Sequence, residues 1–549
     1  MMRKAYLILA CLLLACVTAD AKSHRATGPN GTTVKIDAGQ ISGLTVGAAG
    51  DVRVYKGIPF AAPPTGALRW KAPQPVKPWS GVRACTEFGA SCPQPNLLER
   101  TYGTKLGPTS EDCLYLNVWT AAKKPTDKLP VMVWIHGGGY TMGSGSTLAY
   151  DGAAFARQGV VLVTINYRLG PFGWFAHPQL SKESGHDSSG NYGLLDQIAA
   201  LEWVKRNIAA FGGDANRVTI FGESAGAGSV CYLMASPLAR GLFHRAIAES
   251  GSAFGANRHL REAWYGQEPA EKLGERVARD LAGEQAADPI AALRAMSADD
   301  LLNRSNVAAT SFFAGDANRF APIVDGWVIP DDPGAIFEAG RQANVPLIVG
   351  TNADEGSIFV LTAPVNTVPA YRVAVSRLYG AHADEVQALY PANEASEVRR
   401  ALSHIITDAF FITGARYFAE TASKVNNKTF VYHFTHVTND PRRRMLGAFH
   451  ASEIPYVFMT QDVGGFATYD AKEHELARAM SAYWVQFAAT GDPNGAGRPV
   501  WPKYDAASDQ HIEFGDQIAV KANLRKSAVD LFERVAADRR GKRKAVGDR

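Results

Sequence analysis

Gly222-Glu223-Ser224-Ala225-Gly226 directly follows the apolar run Val218-Thr219-Ile220-Phe221 and opens a stretch of small residues that can continue as a helix. A serine with glycines two residues away on either side, at a strand-to-helix turn, is a nucleophile elbow. The tight turn lifts the hydroxyl clear of the sheet, and the glycines remove Cβ atoms that would collide there. Attack by such a serine on an acyl carbon needs a base to take its proton, an acid to orient that base, and N–H donors for the oxyanion. Donors are on offer in His136-Gly137-Gly138-Gly139-Tyr140, which follows the apolar run Val131-Met132-Val133-Trp134-Ile135. Consecutive glycines let backbone N–H groups point into a pocket with no side chain in the way. His136 stands where it can shape that loop. Thirteen histidines compete for the base, and residue type alone does not choose among them.

These groups need a scaffold, and the chain supplies its parts. Short β-branched runs recur at residues 131–135, 160–165, 218–221, 347–349 and 430–432, and suit strands buried on both faces. Between the second and third, Leu194, Ile198, Leu201, Val204 and Ile208 keep helical spacing until Gly212-Gly213 stops them. Strand, helix, strand is a crossover unit. A second helix is legible in Leu476, Met480, Tyr483, Trp484 and Phe487, ended by Gly491-Asp492-Pro493. Residues 256–345 and 358–425 are richer in helix formers and read as helical insertions near the site.

The 549 residues, 46% hydrophobic and 20% charged, have the composition of a globular protein. Arg3 and Lys4 precede an apolar stretch over residues 5–17, and Ala19-Asp20-Ala21 offers a cleavage site, so residues 1–21 read as an export signal. The destination is then secreted or periplasmic. Leu13-Leu14-Ala15-Cys16 also resembles a lipobox, in which case Cys16 would carry a lipid and hold the protein at a membrane. The formal charge of +4 is matched by the basic residues of a C-terminal segment, 538–549, read as a solvated tail. The rest is near neutral, which argues against a nucleic-acid surface. After export four cysteines remain, Cys85, Cys92, Cys113 and Cys231. Either Cys85 or Cys92 could pair with Cys113, while Cys231, in a small apolar run, reads as a buried thiol. Sequons at Asn30, Asn303 and Asn427 matter only in a glycosylating host.

Several motifs in one order carry a family resemblance: Gly57-Ile58-Pro59-Phe60-Ala61, Glu111-Asp112-Cys113-Leu114-Tyr115-Leu116-Asn117-Val118, Asn166-Tyr167-Arg168-Leu169-Gly170, Phe211-Gly212-Gly213-Asp214, and the elbow itself. Over residues 34–505 the chain resembles the type-B carboxylesterases, the cholinesterase-like branch of the α/β-hydrolases. That resemblance implies an α/β fold, with residues 22–537 as one domain around a mixed, mostly parallel sheet of eight to eleven strands. Residue by residue, it makes Ser224 the nucleophile and gives the oxyanion donors as Gly138, Gly139 and Ala225. It makes Glu223 a residue that tunes the site electrostatically. It assigns the acid to Glu355 in Ala353-Asp354-Glu355-Gly356-Ser357; neighbouring Asp354 would serve equally on charge alone. It assigns the base to His450 in Gly447-Ala448-Phe449-His450-Ala451-Ser452-Glu453, leaving His177, His186, His244, His404, His433 and His436 to cap, pack or face solvent. It prefers Cys92 as the partner of Cys113.

The function so implied is a serine hydrolase cleaving small to medium carboxylic esters through an acyl-enzyme, without metal or cofactor. Residues 93–112 contain no tryptophan, so the choline-stacking residue of cholinesterases is missing from that loop. Amides, thioesters, lactones or lipid esters are rival substrates. A non-catalytic adhesion module, as in the neuroligins, is the rival of a different class.

Overall fold

The computed structural model describes residues 32–547 apart from 48–49, 97–105, 265, 306–319, 362 and 464–467. The export-signal segment, Cys16 and Asn30 lie outside the described residues. Short strands β1 (Thr33–Ile36) and β2 (Gly39–Ser42) begin the described chain and are joined later by β5 (Val82–Ala84) into a three-stranded sheet of their own. The main sheet is built from β3 (Leu44–Val46), β4 (Val52–Pro59), β6 (Tyr115–Thr120), β7 (Leu129–Ile135), β8 (Val161–Ile165), β9 (Gly213–Glu223), β10 (Arg245–Glu249), β11 (Leu347–Asn352), β12 (Thr429–Phe434), β13 (Gln510–Phe514) and β14 (Ile518–Ala522). Their spatial order is β14-β13-β12-β11-β10-β9-β7-β8-β6-β4-β3. Pairing is parallel from β8 through β13 and antiparallel at both ends of the sheet.

The apolar runs follow from this layering. Val131, Val133 and Ile135 of β7 face one core, and Met132 and Trp134 face the other. A central parallel strand has no wet face, so its sequence does not alternate. The helix Tyr192–Asn207 covers the first face through Leu194, Ile198, Leu201 and Val204. The helix Ala471–Thr490 covers the second through Leu476, Met480, Tyr483, Trp484 and Phe487. Asp470 and Glu473 cap that helix reciprocally, each side chain accepting the other's backbone N–H, and Gly491 ends it in the left-handed region. No helix among the described residues is long and apolar enough to cross a membrane.

A helix spans Lys526–Gly547 and carries the chain straight through residue 538. Its buried residues Ala528, Leu531, Phe532 and Val535 recur at helical spacing and join a third core with Tyr379 and Tyr390 of the 358–425 insertion. Asp538 accepts from His382 Nε2 at 2.8 Å, which anchors the first residue assigned to the tail.

Cys92 and Cys113 are disulfide-bonded, as the resemblance implied, and Cys85 and Cys231 are buried free thiols. The bond closes a loop with a sequence separation of 21. Replacing both cysteines with alanine is expected to cost about 3 kcal/mol, read as a lower urea midpoint.

Three histidines are held neutral by burial, His136 and His511 with their pKa pushed down to about 4 and His433 to about 3. A histidine whose folded pKa is depressed binds fewer protons than in the unfolded chain. Its penalty is therefore absent above about 6.5 and grows as pH falls toward 4. Denaturant midpoints are expected to drop over that window, and His433→Asn should flatten the drop.

Candidate active site

Ser224, Glu355, His450 and the glycine loop all stand just beyond the C-terminal ends of parallel strands, where open α/β sheets place their ligand sites. Ser224 follows β9 with φ 57° and ψ −121°, a strained conformation for a residue with a Cβ. Two contacts impose it. The Ser224 N–H donates to the Glu249 carbonyl at 2.8 Å, and the Ser224 carbonyl accepts from Gly228 N–H at 2.9 Å, starting the helix Ala225–Ala235. The flanking glycines are steric necessities: a Cβ on Gly222 or Gly226 would lie 2.5 or 2.0 Å from the Ile135 carbonyl oxygen of β7. Within residues 221–230, Ser224 alone is more than marginally exposed.

The glycine loop after β7 presses against this turn. A Cβ on Gly137 would fall 2.6 Å from Glu223 Oε2 and 3.1 Å from Ser224 Cβ. Gly138 and Gly139 take φ of 105° and 61°, which turns the loop back on itself. Among the described residues, no acceptor takes the N–H of Gly138, Gly139 or Ala225. The loop is braced from behind: neutral His136 stacks on Tyr167 at 4.4 Å and its Nδ1 donates to the Gly137 carbonyl at 2.8 Å, while the Tyr167 hydroxyl donates to the His136 carbonyl, also at 2.8 Å. Tyr167 is fixed in turn by its neighbour Arg168, locked in a buried ion pair with Asp196.

Glu355 is fully buried. Its Oε1 accepts the Asn352 N–H at 2.7 Å, and its Oε2 accepts from His450 Nδ1 at 2.6 Å. The two neighbouring acids divide the work. Asp354 accepts the Ala448 N–H at 2.9 Å and donates its own N–H to the Ala448 carbonyl at 3.0 Å, so it clamps the histidine loop and leaves the imidazole to Glu355. The His450 ring packs against the stacked pair Phe359 and Phe411, with centroids 5.0 and 4.9 Å away. These two aromatics, from the helical insertion, carry no motif and could not be singled out in the sequence.

His450 Nε2 lies 3.1 Å from Glu223 Oε1, yet that oxygen has no hydrogen bond. Nor does a hydrogen bond join the Ser224 hydroxyl to His450, so Nε2 is uncommitted. Burial first, then Glu355 and Glu249, raises the Glu223 carboxyl well above the ordinary carboxylate range. Other histidines have structural duties: His177 caps the helix Pro178–Glu183, His186 stacks on Trp327 at 3.8 Å, His244 accepts the Val218 N–H, and His436 bridges Asp516 and Glu473. Among the described residues no cluster of side chains fits a metal ion.

An acid-bound imidazole beside a strained serine and a row of free amides defines a serine hydrolase on an α/β-hydrolase fold. Residues 30–532 match the model of the carboxylesterase family, and the chain belongs to that family. It is 39% identical to fumonisin B1 esterase of Sphingopyxis macrogoltabida, over 87% of this chain and 86% of that one. It is 36% identical to para-nitrobenzyl esterase of Bacillus subtilis, over 88% of this chain and 94% of that one. Two solved structures, a PNB esterase and a thermophilic PNB esterase, superpose with TM-scores of 0.77 and 0.78 at 33% and 34% identity, each over 91% of this chain and 99% of the other. The protein is accordingly a serine hydrolase of the carboxylesterase class.

Proposed function

We propose that Ser224 attacks the ester carbonyl while His450 Nε2 takes its proton and Glu355 holds the resulting imidazolium. Collapse of the tetrahedral intermediate, with His450 protonating the leaving alcohol, gives an acyl-enzyme on Ser224. Water, activated by the same imidazole, then releases the acid. The amides of Gly138, Gly139 and Ala225 receive the oxyanion, and Glu223 tunes the charge beside the imidazole. The observation that carries this reading is the 2.6 Å bond from Glu355 to His450 Nδ1, which fixes the tautomer with a free lone pair on Nε2. The missing Ser224–His450 hydrogen bond is no obstacle, because such bonds in unliganded enzymes commonly tighten only with substrate.

Small to medium carboxylic esters are the substrate class. The relatives named for fumonisin B1 and for para-nitrobenzyl esters favour that class over amides. A p-nitrophenyl ester series of increasing acyl length, with an anilide control, tests it. Ester turnover with a pre-steady-state burst and negligible anilide cleavage is expected; equal anilide cleavage would overturn the ester assignment. The protein works outside the cytoplasm in this reading, supported by the signal-like residues 1–21 and the Cys92–Cys113 bond. N-terminal sequencing of protein recovered from the producing cells should begin at Lys22; a chain starting at lipidated Cys16 would instead mean a membrane anchor.

A further inference from the structure

Behind the catalytic acid, a buried threonine hydroxyl joins two segments that are far apart in the sequence. The helices Ala395–Ile406 and Thr413–Ser423 run into one another through a π-turn, Thr407–Ile412. Within it the Thr413 hydroxyl donates to the Asp408 carbonyl, five residues back, at 2.7 Å. A π-turn inserts an extra residue into a helix, and such turns recur at functional sites. Thr407 opens this one and is buried. Its hydroxyl donates to the Ser403 carbonyl at 2.9 Å and accepts the Gly356 N–H, also at 2.9 Å. The first bond is the common local one of a threonine in a helix, to the carbonyl four residues back. The second leaves the helix altogether and reaches the residue after Glu355.

The junction is close-fitting. A Cβ on Gly356 would lie 2.0 Å from the same Ser403 carbonyl oxygen, so helix and acid turn meet backbone to backbone. The peptide from Glu355 to Gly356 is planar, and holding its N–H fixes the plane that contains the Glu355 Cα and carbonyl. On the other flank of Glu355, the Asp354 N–H donates to the Ala448 carbonyl at 3.0 Å. The main chain of the acid is therefore pinned twice, once to the histidine loop and once to the π-turn. The same turn also reaches the base, since Phe411, four residues beyond Thr407, packs on the His450 ring. From outside the turn is anchored at Asp408, which accepts from the Tyr390 hydroxyl at 2.7 Å and faces Arg525 at 3.9 Å, just ahead of the C-terminal helix.

We propose that Thr407 is a positioning residue for the catalytic acid: its hydroxyl, presented by the π-turn, sets the Glu355–Gly356 peptide and through it the aim of the Glu355 carboxylate at His450 Nδ1. This rests on the catalytic reading of Ser224, Glu355 and His450. Valine at 407 keeps the shape and the methyl but cannot accept the Gly356 N–H. That buried donor must then find another partner, and the peptide rotates or shifts to supply one. A small error in the acid is passed to the imidazole through a 2.6 Å bond, and oriented groups lose rate steeply when displaced.

The test compares Thr407→Val and Thr407→Ser with wild type in the full-length protein. Turnover of p-nitrophenyl butyrate is counted per active site titrated with a fluorophosphonate, so that misfolded chains do not enter the rate. Proton NMR follows the downfield resonance of the hydrogen shared by Glu355 and His450 Nδ1. Thr407→Val should lower kcat about tenfold with KM within about twofold of wild type, because the acid acts on the transition state and not on substrate binding. Its downfield resonance should move or broaden. Thr407→Ser, which keeps the hydroxyl and drops the methyl, should restore both kcat and the resonance. Thr407→Ala carries the same expectation as valine and replaces it if valine does not fold. A hydroxyl-free variant with wild-type kcat and an unmoved resonance overturns the proposal, even if its urea midpoint falls, since the hydroxyl would then serve the fold alone. So does a serine variant that falls as far as valine. Failure of the underlying reading looks different: Glu355→Gln would then keep its rate, whatever residue stands at 407.

Discussion

Ser224→Ala is expected to lower kcat for p-nitrophenyl esters by about 10⁶ while leaving the urea midpoint within error of wild type. The two halves of that expectation come from different parts of the structure. Alanine keeps the Cβ and therefore the strain of φ 57°, and the backbone bonds of residue 224 to Glu249 and Gly228 do not involve the hydroxyl. The fold has no reason to respond. The chemistry loses its nucleophile, and what remains is water attack assisted by free amides and by binding. A variant that kept most of its activity would place the reacting group elsewhere.

Glu355→Gln is expected to lower kcat and kcat/KM together by about 10⁴, because the proton on His450 moves to the wrong nitrogen. The glutamine oxygen can still accept the Asn352 N–H, which turns its NH2 toward His450 Nδ1. Nδ1 must then accept, the ring proton shifts to Nε2, and no lone pair is left to take the serine proton. Asp354→Asn is the built-in contrast. That side chain holds the Ala448 N–H and makes no hydrogen bond to the imidazole; the asparagine oxygen can still accept the N–H, more weakly than a carboxylate, so the substitution should cost far less, at most about tenfold. Comparable losses in the two variants, measured as kcat/KM on one ester, would deny Glu355 its special role.

The contrast between Glu355 and Asp354 also shows how far the sequence can be read. Charge and chemistry do not separate two adjacent acids; only the motif's spacing pointed to Glu355, and the reason emerges in three dimensions, where one side chain faces the ring and the other the loop behind it. The elbow was legible because its chemistry fixes three positions within five residues, and the close approach to Ile135 explains both glycines. Central strands were legible because burial on both faces leaves nothing but apolar β-branched runs. The helical spacing of Ala528, Leu531, Phe532 and Val535 gains meaning only in three dimensions, where they pack against Tyr379 and Tyr390 of the 358–425 insertion.

Everything proposed for the site depends on Ser224 being an activated nucleophile. The most direct measurement is fluorophosphonate labelling of the purified protein, with intact mass and peptide mapping by mass spectrometry. One adduct per chain is expected, on the peptide containing Ser224 and absent from Ser224→Ala. A folded protein that takes up no label, or takes it up on another residue, would contradict the mechanism.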